Sequence, residues 1–397
     1  MPETTLNDEN SISRGIDECY LIPGPTKMSQ ATMDAMALPV MTHRSPEFKA
    51  VMSELHSLLR MSFNLNKHGE DNYSVMMVSG SGTAAMEMAI ANRFTKTDNV
   101  LVPTNGKFGE RVAQLCKIFS QVTQLEYEWG KGYDMEEIER YLSSGNHSAI
   151  AFCHNETSTG ITQDADKISL LAKKYDVALI LDGITSVGGL PVHPAKWNAE
   201  AVVVGAQKCT AGPSGVAALA VNSDYINKVK EIRSNKKHSP TYYLDILPAI
   251  NKGMDDQTPW TPAINLAFGW LESLRELAEE GLEKRWQRCK IMSDGVANLF
   301  LDLGFELFAE KENRSTTVTA ILYPEGIDDD WRTHLHNRYR TSVIGAQDHM
   351  KGKMFRVGSM GITPISEMIE GCKRMIECFR EFGVDLPDKV DVAAYFE

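Results

Sequence analysis

The stretches DVALILDGITSVGG (176–189) and EAVVVGAQKCTAGPSG (200–215) each begin with a short apolar run and continue into polar and small residues. Uninterrupted apolar runs of this length are typical of strands in a parallel sheet that is covered on both faces. Asp182 ends the first run, and Gln207 and Lys208 follow the second. Because such sheets bind ligands at the carboxyl ends of their strands, these polar residues indicate where a site would lie.

Similar apolar runs recur along the chain and alternate with segments of helical length. The further predicted strands are YSVMMVSG (73–80), NVLVPT (99–104), SAIAFC (148–153) and GVAALAV (215–221). The predicted helices between them are 83–94, 107–119, 134–143 and 164–175. This alternation predicts an α/β fold with a mostly parallel sheet covered by helices.

The pattern changes near residue 263. Long helical segments come first, then short strands at 316–323 and 353–359, and finally a helix at 365–382 whose apolar spacing is that of core packing. We therefore predict a smaller α+β domain at 263–397, after an N-terminal arm at 1–20 and a large domain at 21–262. A chain of 397 residues is also longer than a single hydrophobic core usually supports.

Composition and charge exclude several classes of partner. The net charge of -12 disfavours nucleic acid and anionic membrane surfaces, which attract basic patches. The polar, acidic N-terminal sequence has no signal-peptide or transit-peptide character and no apolar run is long enough to span a membrane, so we expect a cytoplasmic protein. The seven cysteines lack metal-site spacing, which indicates reduced thiols that fill space and no metal site.

Three motifs could carry chemistry, although each has a plainer interpretation. The turn at Ser81, Gly82 and Thr83 opens a helix and could bind an anion, or it could be an ordinary strand-to-helix turn. Asp182 could hold a ring nitrogen protonated, or cap the next helix. Lys208 could be a nucleophilic amine, and the order of anion turn, strand-end aspartate and strand-end lysine favours that interpretation over a surface charge.

Taken together, the motifs resemble those of class V aminotransferases, which are fold type I enzymes dependent on pyridoxal 5'-phosphate. The resemblance is to the alanine–glyoxylate, serine–pyruvate and serine–glyoxylate branch, and it spans most of the chain. The matching segments are PGPT (23–26), HRSPEF (43–48), SGSGTAAME (79–87), NGKFGER (105–111), HNETSTGITQD (154–164), LDGITSVGG (181–189), GAQKCTAGPSG (205–215), YYLDI (242–246), QTPWTPAIN (257–265) and FRVGSMG (355–361).

The resemblance implies roles for individual residues. Lys208 would carry the cofactor covalently, and Asp182 would pair with its pyridine nitrogen. The remaining cofactor contacts would come from Ser81, Gly82, Thr83, Phe108, Ser158 and Gln207, with Phe108 stacking on the ring where this branch often has tryptophan. Gly24 and Arg356 would contact the substrate, with Arg356 binding its α-carboxylate. Thr261 would reach the phosphate across the interface of a homodimer.

Two histidines and one cysteine could also suggest catalysis, but we interpret all three as structural residues. His43 and His154 lie in predicted loops without an evident base or metal partner, so we interpret both as loop-organising residues. Cys209 suggests a desulfurase, because related desulfurases use a loop cysteine. Their lysine usually follows a histidine, however, and here Gln207 stands in that place, so we interpret Cys209 as a small buried neighbour.

The resemblance implies ping-pong transamination between a small amino acid, alanine or serine, and a 2-oxo acid, glyoxylate or pyruvate. Lys208 would release the cofactor to the substrate and then move a proton between the substrate Cα and the cofactor, which acts as an electron sink. Aspartate or 2-aminoethylphosphonate as the donor, a class V lyase or desulfurase, and a non-catalytic subunit remain alternatives.

Overall fold

The computed structural model describes residues 19–65, 72–236 and 239–397. Most of the predicted N-terminal arm therefore lies outside the described residues. Among the described residues, no helix has the length and apolar character needed to cross a bilayer. The described part of the chain also contains no group of three or more His, Cys, Asp or Glu side chains suited to a metal ion.

A seven-stranded sheet forms the centre of the molecule. In spatial order its strands are Tyr73–Ser79, Val216–Asn222, Ala201–Gly205, Ala178–Asp182, Ala149–Cys153, Asn99–Thr104 and Gln121–Glu126. Within this sheet Val216–Asn222 runs antiparallel to both of its neighbours, and the other pairs are parallel. The predicted mostly parallel α/β sheet is confirmed.

The central strands form because both of their faces are covered. Every residue of Ala149–Cys153, Ala178–Asp182 and Ala201–Gly205 is buried, which accounts for apolar runs without alternation. Two apolar clusters lie on the two faces, and Leu181 belongs to one while Ile180 belongs to the other. The edge strand Gln121–Glu126 was not predicted, because its residues are mostly polar and partly exposed.

Helices cover the sheet, and those predicted in this part of the chain are confirmed within a residue or two. The observed helices are Gln30–Met36, Pro46–Ser62, Gly82–Arg93, Lys107–Phe119, Met135–Leu142, Ala165–Lys174, Pro194–Trp197, Ser223–Lys236 and Ile246–Gly253. The four that were predicted are Gly82–Arg93, Lys107–Phe119, Met135–Leu142 and Ala165–Lys174. Two long helices follow, Ile264–Glu280 and Leu282–Asp302. The helix Ile264–Glu280 packs Phe268, Trp270 and Leu274 into a cluster of the central sheet.

The C-terminal part contains a three-stranded antiparallel sheet, in the order Val318–Leu322, Met354–Gly358 and Ile344–Gly345. Helices Asp329–Tyr339 and Ile365–Glu381 pack on it around a separate apolar cluster that includes Phe355 and Phe379. Shorter elements of the chain are the strand pairs Cys19–Tyr20 with Thr341–Ser342 and Asn155–Glu156 with Ile161–Thr162, and the 3-10 turns Lys311–Asn313, Asp348–Met350 and Ala393–Phe396. The domain boundary at residue 263 stays a prediction.

The segment after Cys19–Tyr20 connects the small sheet to the central one. The amide of Gly358 donates to the carbonyl of Leu21, and five residues after Leu21 the amide of Thr26 donates to the carbonyl of Gln207. The hydroxyl of Thr26 also donates to the carbonyl of Lys208, at 2.9 Å. PGPT (23–26) is therefore held against the backbone that carries Lys208.

Candidate active site

A cavity of about 530 Å³ lies at the carboxyl edge of the central sheet. Its lining residues are Ser81, Gly82, Thr83, Phe108, Arg111, Cys153, Asn155, Asp182, Ile184, Thr185, Gln207 and Lys208. Seven of these were predicted site residues: Ser81, Gly82, Thr83, Phe108, Asp182, Gln207 and Lys208. The motifs that are far apart in sequence thus meet at the sheet edge where parallel sheets bind ligands.

The amine of Lys208 is held at one wall of this cavity. Its Nζ donates a hydrogen bond to the carbonyl of Pro23, at 2.9 Å. Burial lowers the pKa of this amine to about 8, and the positive charges of Arg111 and Arg356 act in the same direction. Near neutral pH the unprotonated amine, which can attack a carbonyl, is therefore far more abundant than in an ordinary lysine, although most of the amine remains protonated.

Gly24 lies directly against the Lys208 side chain. It adopts a φ of +93°, and a Cβ atom at this position would lie 2.4 Å from Cδ and 2.6 Å from Nζ of Lys208. Only glycine combines that backbone conformation with that close approach. The glycine of PGPT therefore determines where the lysine amine can lie, although Gly24 does not line the cavity itself.

Asp182 is buried at the end of its strand, with 3% of its surface exposed. Its Oδ1 accepts a hydrogen bond from the amide of Ile184, at 3.0 Å. Its Oδ2 accepts one from Nη2 of Arg111, at 3.1 Å. The carboxyl group therefore lies in the cavity wall between an amide and a guanidinium donor, in the arrangement that a cationic partner requires.

Arg111 is a site residue that the sequence analysis missed. Its guanidinium carbon lies 4.9 Å from the centre of the Phe108 ring, so the cation covers the aromatic face while it pairs with Asp182. The sequence feature that could have indicated Arg111 is its position three residues after Phe108 in NGKFGER, since residues at this spacing share a helix face. A flat cation bound between Phe108 and Asp182 shows that this part of the cavity suits a protonated planar group.

The turn at Ser81 offers hydrogen-bond donors to an anion. The helix Gly82–Arg93 begins here without a side-chain cap, so its first amides and its positive dipole end face the cavity. A Cβ atom on Gly82 would lie 2.6 Å from Cδ1 of Ile184, so a larger residue would require the Ile184 side chain to shift. Across the cavity, Oε1 of Gln207 is buried without a hydrogen-bond partner in the described structure.

Ser158 lies beside the cavity and is fixed by a second residue that was missed, Glu156. The Ser158 hydroxyl accepts from the amide of Lys107, at 3.0 Å, and donates to Oε1 of Glu156, at 2.5 Å. Oε2 of Glu156 accepts from the amides of Phe108 and Gly109. Burial raises the pKa of this fully buried carboxyl group, and these hydrogen bonds oppose the rise. Glu156 thereby ties the Ser158 loop to the helix that carries Phe108.

Arg356 is buried on the strand Met354–Gly358, with 4% of its surface exposed. Nε and Nη2 donate to the carbonyl of Gly345, and Nη1 donates to the carbonyl of Thr157. Burial lowers its pKa to about 10, and the charge of Glu156 opposes this change. No described carboxylate forms an ion pair with Arg356, so the remaining N–H groups of Nη1 and Nη2 are available to an anionic ligand.

Thr261 does not join the other predicted residues. It is exposed and lies in a separate depression with Ser79, Tyr243 and Trp260. The neighbouring Tyr242 has 79% of its surface exposed, and its ring centre lies 4.7 Å from that of Trp260. The predicted contact of Thr261 with a second subunit stays a prediction.

The three residues with plainer interpretations lie outside the cavity. His154 is buried with its ring centre 5.4 Å from that of Trp197, and burial lowers its pKa to about 4, so it stays neutral in the core. His43 is half-buried in a loop. Cys209 is fully buried with Sγ 3.1 Å from the carbonyl of Thr185, and burial raises its pKa. All seven cysteines are free and buried, which confirms the prediction of reduced thiols.

Comparisons with known proteins show which family, relatives and solved structures this chain is similar to. The family model described as aminotransferase class-V matches residues 25–339. An uncharacterized aminotransferase of Methanocaldococcus jannaschii is 34% identical over 95% of this chain and 97% of its own. A serine–glyoxylate aminotransferase of Hyphomicrobium methylovorum is 34% identical over 86% of this chain and 84% of its own. The structure of an alanine–glyoxylate aminotransferase of Nostoc sp. matches with a TM-score of 0.85 and 29% identity, over 91% of this chain and 95% of that one.

Proposed function

The chain belongs to the class V aminotransferases, which depend on pyridoxal 5'-phosphate, and we propose that it transfers the amino group of alanine or serine to glyoxylate or pyruvate. The observation that carries this proposal is the presence of Lys208, with its lowered amine pKa, and buried Asp182 in one cavity. The substrate class is supported by the likeness to a serine–glyoxylate aminotransferase over most of both chains.

The chemistry of the cavity fits the cofactor. The uncapped helix start at Gly82 and Thr83, together with the N–H groups of the Gln207 side-chain amide, would bind the phosphate. Phe108 offers an aromatic face for the ring, and Asp182 a carboxylate for its nitrogen. When it is bound, the cofactor supplies an electron sink that stabilises negative charge at the substrate Cα.

The protein's own residues would then hold and move protons. Asp182 would keep the ring nitrogen protonated, and the arginine that now pairs with it would have to give up that position. The amine of Lys208 would carry a proton from the substrate Cα to the cofactor in the first half-reaction and from the cofactor to the Cα of the second substrate in the other. Arg356 would bind the α-carboxylate, which the amino donor and the 2-oxo acid share.

We also propose that the working unit is a homodimer. Thr261, Tyr242 and Trp260 expose polar and aromatic surface close to Ser79, next to the turn that would bind the phosphate. A second copy on this surface would bury it and bring Thr261 towards the partner's cavity. A two-fold symmetric dimer is the commonest assembly of this kind.

The test is to add single substrates to the purified holoenzyme and follow its visible spectrum. Alanine or serine should convert the pyridoxal form of the cofactor to the pyridoxamine form, and glyoxylate or pyruvate should reverse the conversion. Conversion by aspartate or 2-aminoethylphosphonate alone would contradict the proposed donor. Release of ammonia or sulfide without conversion would contradict transamination and identify a lyase or desulfurase.

A further inference from the structure

A second cavity, of about 810 Å³, lies between the helix Leu282–Asp302 and the strand Val318–Leu322. It adjoins the loop that carries Ser158, because Gly160 of the same loop forms part of its wall. None of the predicted site residues lines it.

The charges along this second cavity favour an anion. Its charged lining residues are Lys290, Asp294, Lys311 and Arg314. Lys290 forms an ion pair with Asp294. Lys311 and Arg314 form no ion pair with a described residue, so two positive charges remain for a ligand.

Arg314 is the more constrained of the two cations. Its Nε donates to the carbonyl of Ala309, at 3.1 Å, and this bond orients the guanidinium. Burial lowers the pKa of Arg314, and only the charge of Glu312 opposes this change. Its terminal nitrogens make no hydrogen bond to the described protein, so the fork that binds carboxylates in two-point geometry is free.

The wall as a whole is divided about equally between polar and apolar surface. Ala297, Val318 and Ala320 are buried lining residues with between 1% and 8% of their surface exposed. Partly buried Leu307 lies beside them. A free phosphate or sulfate ion would leave these apolar groups without contacts, whereas a carboxylate on a short aliphatic body would cover them.

We propose that this second cavity binds a small aliphatic carboxylate. Arg314 and Lys311 hold the charge, and the aliphatic body lies on Ala297 and Val318. The ligand is distinct from the substrate at Arg356, because the two arginines line different parts of the molecule.

The second cavity is connected to the Lys208 cavity by a buried pair of side chains. Ser315 lines the second cavity, and its hydroxyl donates to Oδ1 of Asn155 at 2.6 Å. Asn155 and Thr185 both line the Lys208 cavity, and Nδ2 of Asn155 donates to the Thr185 hydroxyl at 3.2 Å. A ligand that shifts Ser315 would also shift Asn155, so we expect occupation of the second cavity to change the affinity of the first for its substrate, with a reciprocal effect.

Calorimetric titration of the holoenzyme with 4-methylpentanoate tests the site directly. The wild type should bind it and should not bind the neutral 4-methylpentanamide. Arg314→Gln should weaken binding about tenfold or more, because a charge-assisted hydrogen bond is lost. Arg140→Gln, which changes an exposed arginine paired with Glu137, should leave binding unchanged, and so should Arg356→Gln. No saturable binding by the wild type, or equal binding by Arg314→Gln, would overturn the site.

The coupling between the second cavity and the Lys208 cavity is tested separately, and this test rests on the proposed function. The probe, 4-methylpentanoate, should change the KM of the amino donor in the wild type, and the change should disappear in Arg314→Gln. Ser315→Ala should keep probe binding and reduce the KM change, since Asn155 retains its bond from Thr162. A KM change that persists in Arg314→Gln would mean that the probe acts at the Lys208 cavity and would overturn the connection. Failed transamination with intact probe binding would count against the proposed function alone.

Discussion

Arg111 donates a hydrogen bond from Nη2 to Oδ2 of Asp182 at 3.1 Å, so the carboxylate proposed for the cofactor ring is paired with a cation of the protein's own. The pair is partly buried, with side-chain exposures of 27% for Arg111 and 3% for Asp182. Under the proposed function, the ring nitrogen of the cofactor would compete with the guanidinium of Arg111 for this carboxylate.

Arg111→Gln should destabilise the cofactor-free protein by about 1 to 3 kcal/mol, because it leaves a buried carboxylate without its cation. Pyridoxal phosphate should recover much of this loss, since the protonated ring nitrogen gives Asp182 a new donor. Thermal unfolding with and without the cofactor measures both effects, with Arg140→Gln as the matched surface control. An unchanged midpoint in the cofactor-free variant would show that the pair contributes nothing.

Gly24→Ala should prevent covalent attachment of the cofactor while the protein still folds. The added methyl group would lie within 2.4 Å of the Lys208 side chain, at a backbone φ of +93° that side chains rarely adopt. Absorbance of the attached cofactor is the measurement. Gly253→Ala is the matched control, because a Cβ atom there would meet nothing within 4 Å. Normal attachment in Gly24→Ala would show that the loop moves aside freely.

Arg356→Lys should lower kcat/KM for both half-reactions, because lysine keeps the charge and loses the planar two-point geometry. Each tenfold loss corresponds to about 1.4 kcal/mol of transition-state stabilisation. The measurement is steady-state kinetics with alanine, serine, glyoxylate and pyruvate. Unchanged values for all four substrates would mean that another cation binds the carboxylate.

Covalent capture of pyridoxal phosphate by the cofactor-free protein should accelerate as pH rises through about 8, where the Lys208 amine loses its proton. An unperturbed amine would give the same rise near 10.5. The lowered pKa of Lys208 in the folded state also makes the stability of the protein depend on pH. Because the folded state disfavours the charged amine, this group destabilises the protein at low pH, and the destabilisation disappears as pH rises from about 8 to 10.5. Capture rates measured by stopped flow across this range distinguish the two midpoints.

Local sequence patterns predicted much of the fold. The continuous apolar run of Asn99–Thr104 and the helix Lys107–Phe119 have the predicted bounds, because each is buried in the way its own residues indicate. The strand Gln121–Glu126 was missed, since a partly exposed edge strand needs few apolar residues. Its pairing with Asn99–Thr104 is a tertiary contact that composition does not reveal.

The residues of the candidate site also include some that local sequence predicts and some that it does not. Asp182, Gln207 and Lys208 could be predicted because a strand end positions each of them. Arg111 and Glu156 were missed, because their partners are 71 and 48 residues distant in sequence. The contacts of Glu156 form only when the helix Lys107–Phe119 packs beside the loop that follows Ala149–Cys153, and the contact of Arg111 forms only when this helix lies beside the end of Ala178–Asp182. No local pattern specifies that packing.

The most direct test of the account is to identify the lysine that holds the cofactor. Borohydride reduction of the holoenzyme should fix a pyridoxyl group to Lys208, and peptide mapping should find it there. Lys208→Ala should remain folded, carry no fixed pyridoxyl group and lose essentially all transamination. A pyridoxyl group on any other lysine of the wild type, or full turnover by Lys208→Ala, would contradict the central claim.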